Sequence, residues 1–136
     1  MKRVLVVDDS RCDRMIHRHW LEACRDEEFE IHEAERVEEA LALALATRFD
    51  CVLMDYVLPG GDGLHGVRLL RAAVPDCPPI ILLTCALTED MSRNAVALGA
   101  SESRTKPIRD GQLLVDAILR VIAEKESRVN ELTGNT

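Results

Sequence analysis

Apolar residues in this chain gather in short blocks that stop abruptly at polar side chains. RVLVV (3–7) ends at Asp8 and Asp9, CVLM (51–54) at Asp55, and IILL (80–83) at Thr84. Brief apolar runs bounded by turn signals predict strands buried on both faces, as in a parallel sheet. FEIHE (29–33) alternates instead, predicting a strand with one face exposed. SESRT (101–105) takes the fifth strand position by order, and its lack of a large apolar residue suits a sheet edge.

Helical spacing fills the intervals. Cys12, Ile16 and Trp20 recur every four residues, with Asp9 or Ser10 as N-cap. Residues 35–47 are rich in Ala, Leu and Glu and carry Val37, Leu41 and Leu45 on one face. Leu64, Val67 and Leu70 mark a third helix over 63–73. A fourth begins at Thr88 or Glu89 and stops at Gly99, a residue suited to the position after a helix. The last helix, from Arg109 to about Glu126, turns Leu114, Ile118 and Val121 inward, and the polar 127–136 is expected to fray. Strand and helix thus alternate five times with no hairpin signal. This predicts an α/β domain over 1–126 with a polar tail over 127–136. Its fold is a flavodoxin-like (βα)5 doubly wound parallel sheet of strand order 2-1-3-4-5.

Composition narrows the function. The chain has 136 residues and a formal net charge of -7, which disfavours nucleic acid and anionic membrane surfaces. No apolar run approaches the ~20 residues that span a bilayer, and the N-terminus meets acids too soon for a signal peptide. The five cysteines show no CxxC spacing and are expected to act as small buried hydrophobes in a reducing, cytoplasmic setting. His17, His19, His32 and His65 are dispersed and are expected on the surface.

The predicted order brings the strand ends together: Asp8 and Asp9 after strand 1, Asp55 after strand 3, Thr84 after strand 4, Lys106 after strand 5. Taken alone, Asp55 also suits the bland role of bonding the backbone of its own turn. Three neighbouring carboxylates repel one another unless a cation joins them, and an all-oxygen set favours a hard ion such as Mg²⁺. An ammonium and a hydroxyl beside such a cluster are what a phosphoryl group needs, and a carboxylate can itself be the nucleophile.

On VVDDS, LMDYVLPGGDG, LLTCALTED and TKP, in order and spacing, residues 2 to about 126 resemble the receiver domain of two-component response regulators. The resemblance implies Asp55 as phosphoacceptor from a histidine kinase or histidine phosphotransfer protein. It implies Asp9 as a direct Mg²⁺ ligand, Asp8 as a ligand mainly through water, and the Val57 backbone carbonyl as a further ligand. Thr84 matches the switch hydroxyl, Lys106 the phosphate-contacting lysine, and Lys106–Pro107 a peptide bond usually cis in the family. The domain would act as no conventional enzyme. It would be a monomer or weak dimer that switches the binding of a downstream protein, either by itself or as a receiver module of a hybrid kinase or multidomain regulator.

The departures are as informative as the matches. Ser103 stands where the family often has a switch Tyr or Phe, so the usual coupling of hydroxyl to aromatic is absent. Cys85 follows the switch hydroxyl where Ala or Gly is usual, which is expected to narrow access to the acceptor. Val57 and Ala86 are apolar where many relatives are polar. A haloacid-dehalogenase-like phosphatase would need an acid two residues after its nucleophile, where this chain has Val57. A flavodoxin-like cofactor binder would need a Gly-rich phosphate loop after strand 1, which is also missing.

Overall fold

The computed structural model describes residues 1–59, 61–106 and 108–133. Five strands, β1 (Lys2–Val7), β2 (Phe29–Ala34), β3 (Cys51–Asp55), β4 (Ile80–Thr84) and β5 (Glu102–Thr105), form one sheet. Five helices connect or follow them: α1 (Arg11–Glu22), α2 (Val37–Ala46), α3 (Gly63–Ala73), α4 (Glu89–Leu98) and α5 (Gly111–Thr133). All neighbouring strands are parallel and the order is β2-β1-β3-β4-β5, as the alternation predicted. A small antiparallel ribbon, Val57–Leu58 with Gly61–Asp62, bridges β3 and α3. Such a pairing carries too few residues to announce itself in hydrophobic periodicity.

The apolar runs of β1, β3 and β4 are buried because each feeds two cores. Leu5, Val7, Val52, Met54, Ile80 and Leu82 face the layer of α2, α3 and α4. Val4, Val6, Cys51, Leu53, Ile81 and Leu83 face α1 and α5, where Leu114, Ile118 and Val121 are inward as the spacing predicted. β5 is an edge strand, which explains its polarity. Helix starts follow their caps. Ser10 Oγ accepts from the Asp13 amide at 3.2 Å, and Thr88 Oγ1 from the Met91 amide at 3.1 Å. Gly99 ends α4 at φ 115°, a conformation other residues adopt only with strain.

Several expected faces shift. On α1 the buried residues are Arg14, His17 and Leu21, whereas Cys12 and Ile16 are exposed and Trp20 is half-buried. The helix is turned by polar anchors. The Arg14 guanidinium donates to the Asp8 carbonyl at 2.7 Å, and the Trp20 indole N–H donates to the Ile108 carbonyl at 3.1 Å. On α2 the innermost residues are Val37, Ala40 and Ala44, and Leu45 is exposed, because a face of small side chains permits close approach to the sheet. Only Cys51 and Cys77 are buried; Cys12 and Cys85 are exposed and Cys24 is intermediate. His17 is buried, contrary to its expected surface position, while His19 and His65 are exposed. α5 runs on to Thr133 rather than fraying near Glu126, and just before that extension Lys125 Nζ meets the Asp76 carbonyl and carboxylate, each at 3.1 Å.

Gly63 sets how closely α3 approaches the sheet. A Cβ there would collide with the Asp55 carbonyl oxygen and come within 2.9 Å of the Tyr56 Cα, and neither backbone atom has room to yield. Gly63→Ala is therefore expected to cost about 2–3 kcal/mol in chemical denaturation. A cost within experimental error would show that the β3–α3 connection is not closely packed.

Candidate functional site

Parallel pairing aligns the carboxyl ends of β1, β3, β4 and β5 at one edge of the sheet. The Tyr56 amide donates to the Leu83 carbonyl at 2.7 Å, and the Lys106 amide to the Thr84 carbonyl at 2.8 Å. These bonds continue the ladder past the strand ends and fix where Asp55, Thr84 and Lys106 begin. Asp8 is 1%, Asp55 4%, Thr84 6% and Lys106 8% exposed, a concentration of buried polar groups found at this edge.

Lys106 joins them. Its Nζ lies 2.8 Å from Asp13 Oδ2, 3.0 Å from Asp55 Oδ2 and 3.1 Å from Asp8 Oδ2, so three carboxylates ring one ammonium. Asp55 Oδ1 also accepts from the Val57 amide at 3.3 Å. The turn-bonding role and the place in the cluster therefore both hold for Asp55. Asp8 Oδ1 accepts from the Ser10 amide at 2.9 Å. Behind the site, buried Arg14 ties Asp8 to Glu33 and Glu35 of the second strand and its following turn.

One ammonium does not balance these acids. Asp8, Asp9 and Asp55 each offer an oxygen, and the three oxygens lie within 4.8 Å of one another. Burial pushes the Asp8 carboxyl above its ordinary 3.8, with the Asp55 charge adding to the rise and the Ser10 amide and Lys106 opposing it. Burial would lower Lys106, but its hydrogen bonds to Asp13 and Asp55 and the charge of Asp8 carry it above the ordinary 10.5. The stability this ammonium contributes is fully present below that ordinary value. It is lost only as pH rises through the raised one.

Every site residue expected from the strand ends is here. Thr84 Oγ1 accepts from the Ala86 amide at 3.4 Å, and Val57, Cys85 and Ala86, each within two residues of Asp55 or Thr84, are exposed. Pro107 lies outside the described residues, as does Gly60 of the expected glycine-rich loop. Asp13 was not anticipated. In the sequence it is only an acid in the first turn of a helix, favourable to the helix dipole anywhere. Nothing local ties it to a lysine 93 residues away. Where the switch aromatic is missing, Ser103, Ile81, Leu87, Ile108 and Leu113 border a cavity of about 440 Å³.

The model of the response regulator receiver domain matches residues 4–118. The chain is 33% identical to the transcriptional regulatory protein ResD of Bacillus subtilis (strain 168), over 98% of its own length and 53% of that protein. It is 36% identical to the transcriptional regulatory protein SrrA of Staphylococcus aureus (strain NCTC 8325 / PS 47), over 86% of its length and 47% of that protein. It thus spans about half the length of these curated relatives. Among solved structures, the chemotaxis response regulator CheY4 of Vibrio cholerae is 31% identical at a TM-score of 0.78, covering 89% of this chain and 98% of that one. A two-component response regulator of the LuxR family from Aurantimonas sp. SI85-9A1 is 31% identical at a TM-score of 0.80, covering 90% of this chain and 85% of that one.

Proposed function

This chain belongs to the receiver domain family of two-component response regulators, and from that premise we propose that Asp55 is its phosphoacceptor. One observation carries the proposal: Asp55, buried at the end of β3, shares Lys106 with Asp8 while its oxygens cluster with those of Asp8 and Asp9. An Asp55 oxygen attacks phosphorus, the P–N bond of a donor phosphohistidine breaks, and the leaving imidazole takes a proton from solvent. Lys106 neutralises the phosphoryl oxygens and Thr84 donates a hydrogen bond to one of them. The all-oxygen donor set fits Mg²⁺, held by Asp8, Asp9, Asp55 and the Val57 carbonyl, which would supply further positive charge to the transferring group. A phosphatase of the haloacid-dehalogenase type is disfavoured, because position 57 carries an exposed valine and no acid.

Mg²⁺ is expected to raise the melting temperature. At a hundredfold excess over its Kd, linkage contributes about 2.7 kcal/mol, or roughly 8–12 °C for a domain of this size. The sign of the pH dependence follows from Asp8. Its raised pKa means that protons compete with the cation below that value, so the gain is full above it and shrinks as pH falls through it. Melting with Mg²⁺ and with EDTA across pH tests this. A gain that is independent of pH, or that persists in Asp9→Asn, counts against the assignment.

The donor is proposed to dock on α1. Cys12, Met15 and Ile16 form an exposed apolar strip that begins beside the acidic cluster. A helix bearing the phosphohistidine could cover it, consistent with a histidine kinase or phosphotransfer protein as partner. Ile16→Asp is expected to slow transfer from such a protein about tenfold or more while sparing acetyl phosphate, because only the protein donor needs the strip. Equal slowing with both donors would place the fault in the site instead. Residues 1–126 are taken as the receiver unit and 127–136 as a polar tail, and phosphorylation of the receiver is taken to switch its binding of a downstream protein. Among the described residues no helix is long and apolar enough to cross a membrane.

A further inference from the structure

His17 is 1% exposed on the inner side of α1, and among the described residues neither ring nitrogen has a hydrogen-bond partner. A neutral imidazole carries one N–H, and burying that donor unpaired is costly. Burial also favours the neutral form of His17, holding its pKa below the ordinary 6.5 against the charges of Asp8 and Asp13. One helical turn before it, at the i, i+4 spacing that places two side chains on one face, stands Asp13.

Asp13 is committed elsewhere in this state, to Lys106 at 2.8 Å. That bond belongs to an ammonium already ringed by three carboxylates. A phosphoryl group on Asp55 brings several anionic oxygens to this ammonium where one carboxylate oxygen stood, and they draw its N–H groups away from the other two acceptors. Asp55 then carries the group. Asp8 is buried and fixed by the Ser10 amide. Asp13, with its side chain 28% exposed, is the carboxylate free to turn, and an unpaired donor waits within its own helix.

We propose that Asp13 is a positioning residue with two partners: it holds Lys106 before phosphorylation, and accepts from the His17 ring afterwards. The proposal rests on Asp55 being the phosphoacceptor. Phosphorylation is thereby registered inside α1, in a chain whose β5 carries Ser103 and no aromatic to move.

The test uses the full chain uniformly labelled with ¹⁵N, and Mg²⁺, with and without beryllofluoride as a mimic of the acyl phosphate. The mimic is expected to give one His17 ring N–H a downfield, slowly exchanging proton, and Asp13→Ala to abolish that signal. His17→Phe is expected to weaken mimic binding about fivefold in the wild type and not at all in an Asp13→Ala background. A purely structural His17 would produce the same change in both backgrounds, which would overturn the proposal. Unchanged His17 ring signals in a protein whose Asp55 and Val57 amides have shifted would overturn it as well. If those amides also stay still at saturating mimic, the phosphoacceptor assignment fails, and this proposal falls with it.

Discussion

Asp55→Asn is expected to reduce Mg²⁺-dependent labelling by acetyl phosphate to background, a loss of about 10³-fold or more. The carboxylate is the attacking group, and an amide oxygen in the same place is too weak a nucleophile to form the acyl phosphate. Size and shape are nearly kept, so the fold should survive. Lys106 retains Asp8 and Asp13, and the carboxamide oxygen of the variant can still accept from the Val57 amide that now bonds Asp55 Oδ1. Removing one of several crowded carboxylates should leave thermal stability without Mg²⁺ unchanged or slightly raised. The check is labelling alongside a melting curve. Undiminished labelling of a folded variant would move the chemistry to another acid, and labelling in excess EDTA would remove the metal from it.

The second large effect concerns how long the phosphoryl group stays. Its hydrolysis needs a water in line with phosphorus, opposite the aspartyl oxygen. We propose that this approach passes Val57 and Ala86, exposed residues two past Asp55 and Thr84, and Cys85 beside Ala86. Val57 is 68% exposed, so its isopropyl group faces solvent and offers water nothing to bond. Polar groups that handle protons are worth about 10²–10⁴-fold, and one that only orients water is worth less. A long-lived acyl phosphate is expected, with Val57→Asn and Ala86→Glu each shortening its lifetime by about tenfold. Decay after removal of the donor provides the measurement. A wild type that decays as fast as both variants would show that these positions do not set the lifetime.

Much of this was legible because parallel sheets write their strands plainly. Uninterrupted blocks such as IILL and CVLM need apolar contacts on both faces, and the residue ending each block stands at the shared edge. From that one rule the positions of Asp8, Asp55 and Thr84 follow, and the polarity of β5 follows from its place at the margin. Helix faces were less legible. The spacing of Cys12, Ile16 and Trp20 is helical, but α1 is oriented by bonds from Arg14 and Trp20 to distant backbone oxygens. Side-chain anchors of that kind override a stripe of modest hydrophobicity. The Asp13–Lys106 pair was invisible for a related reason, since it depends on where the β5–α5 turn delivers an ammonium. His17 was misplaced because an isolated histidine on a helix looks the same in sequence whether it faces core or solvent.

The most direct test of the central claim maps the acylated side chain itself. After reaction with acetyl phosphate and Mg²⁺, borohydride reduces an aspartyl phosphate to homoserine, and peptide mass spectrometry locates the changed residue. Homoserine at position 55, formed only when Mg²⁺ is present, is the predicted result. Homoserine at position 8, 9 or 13, or none anywhere in a protein that has taken up phosphate, would contradict it.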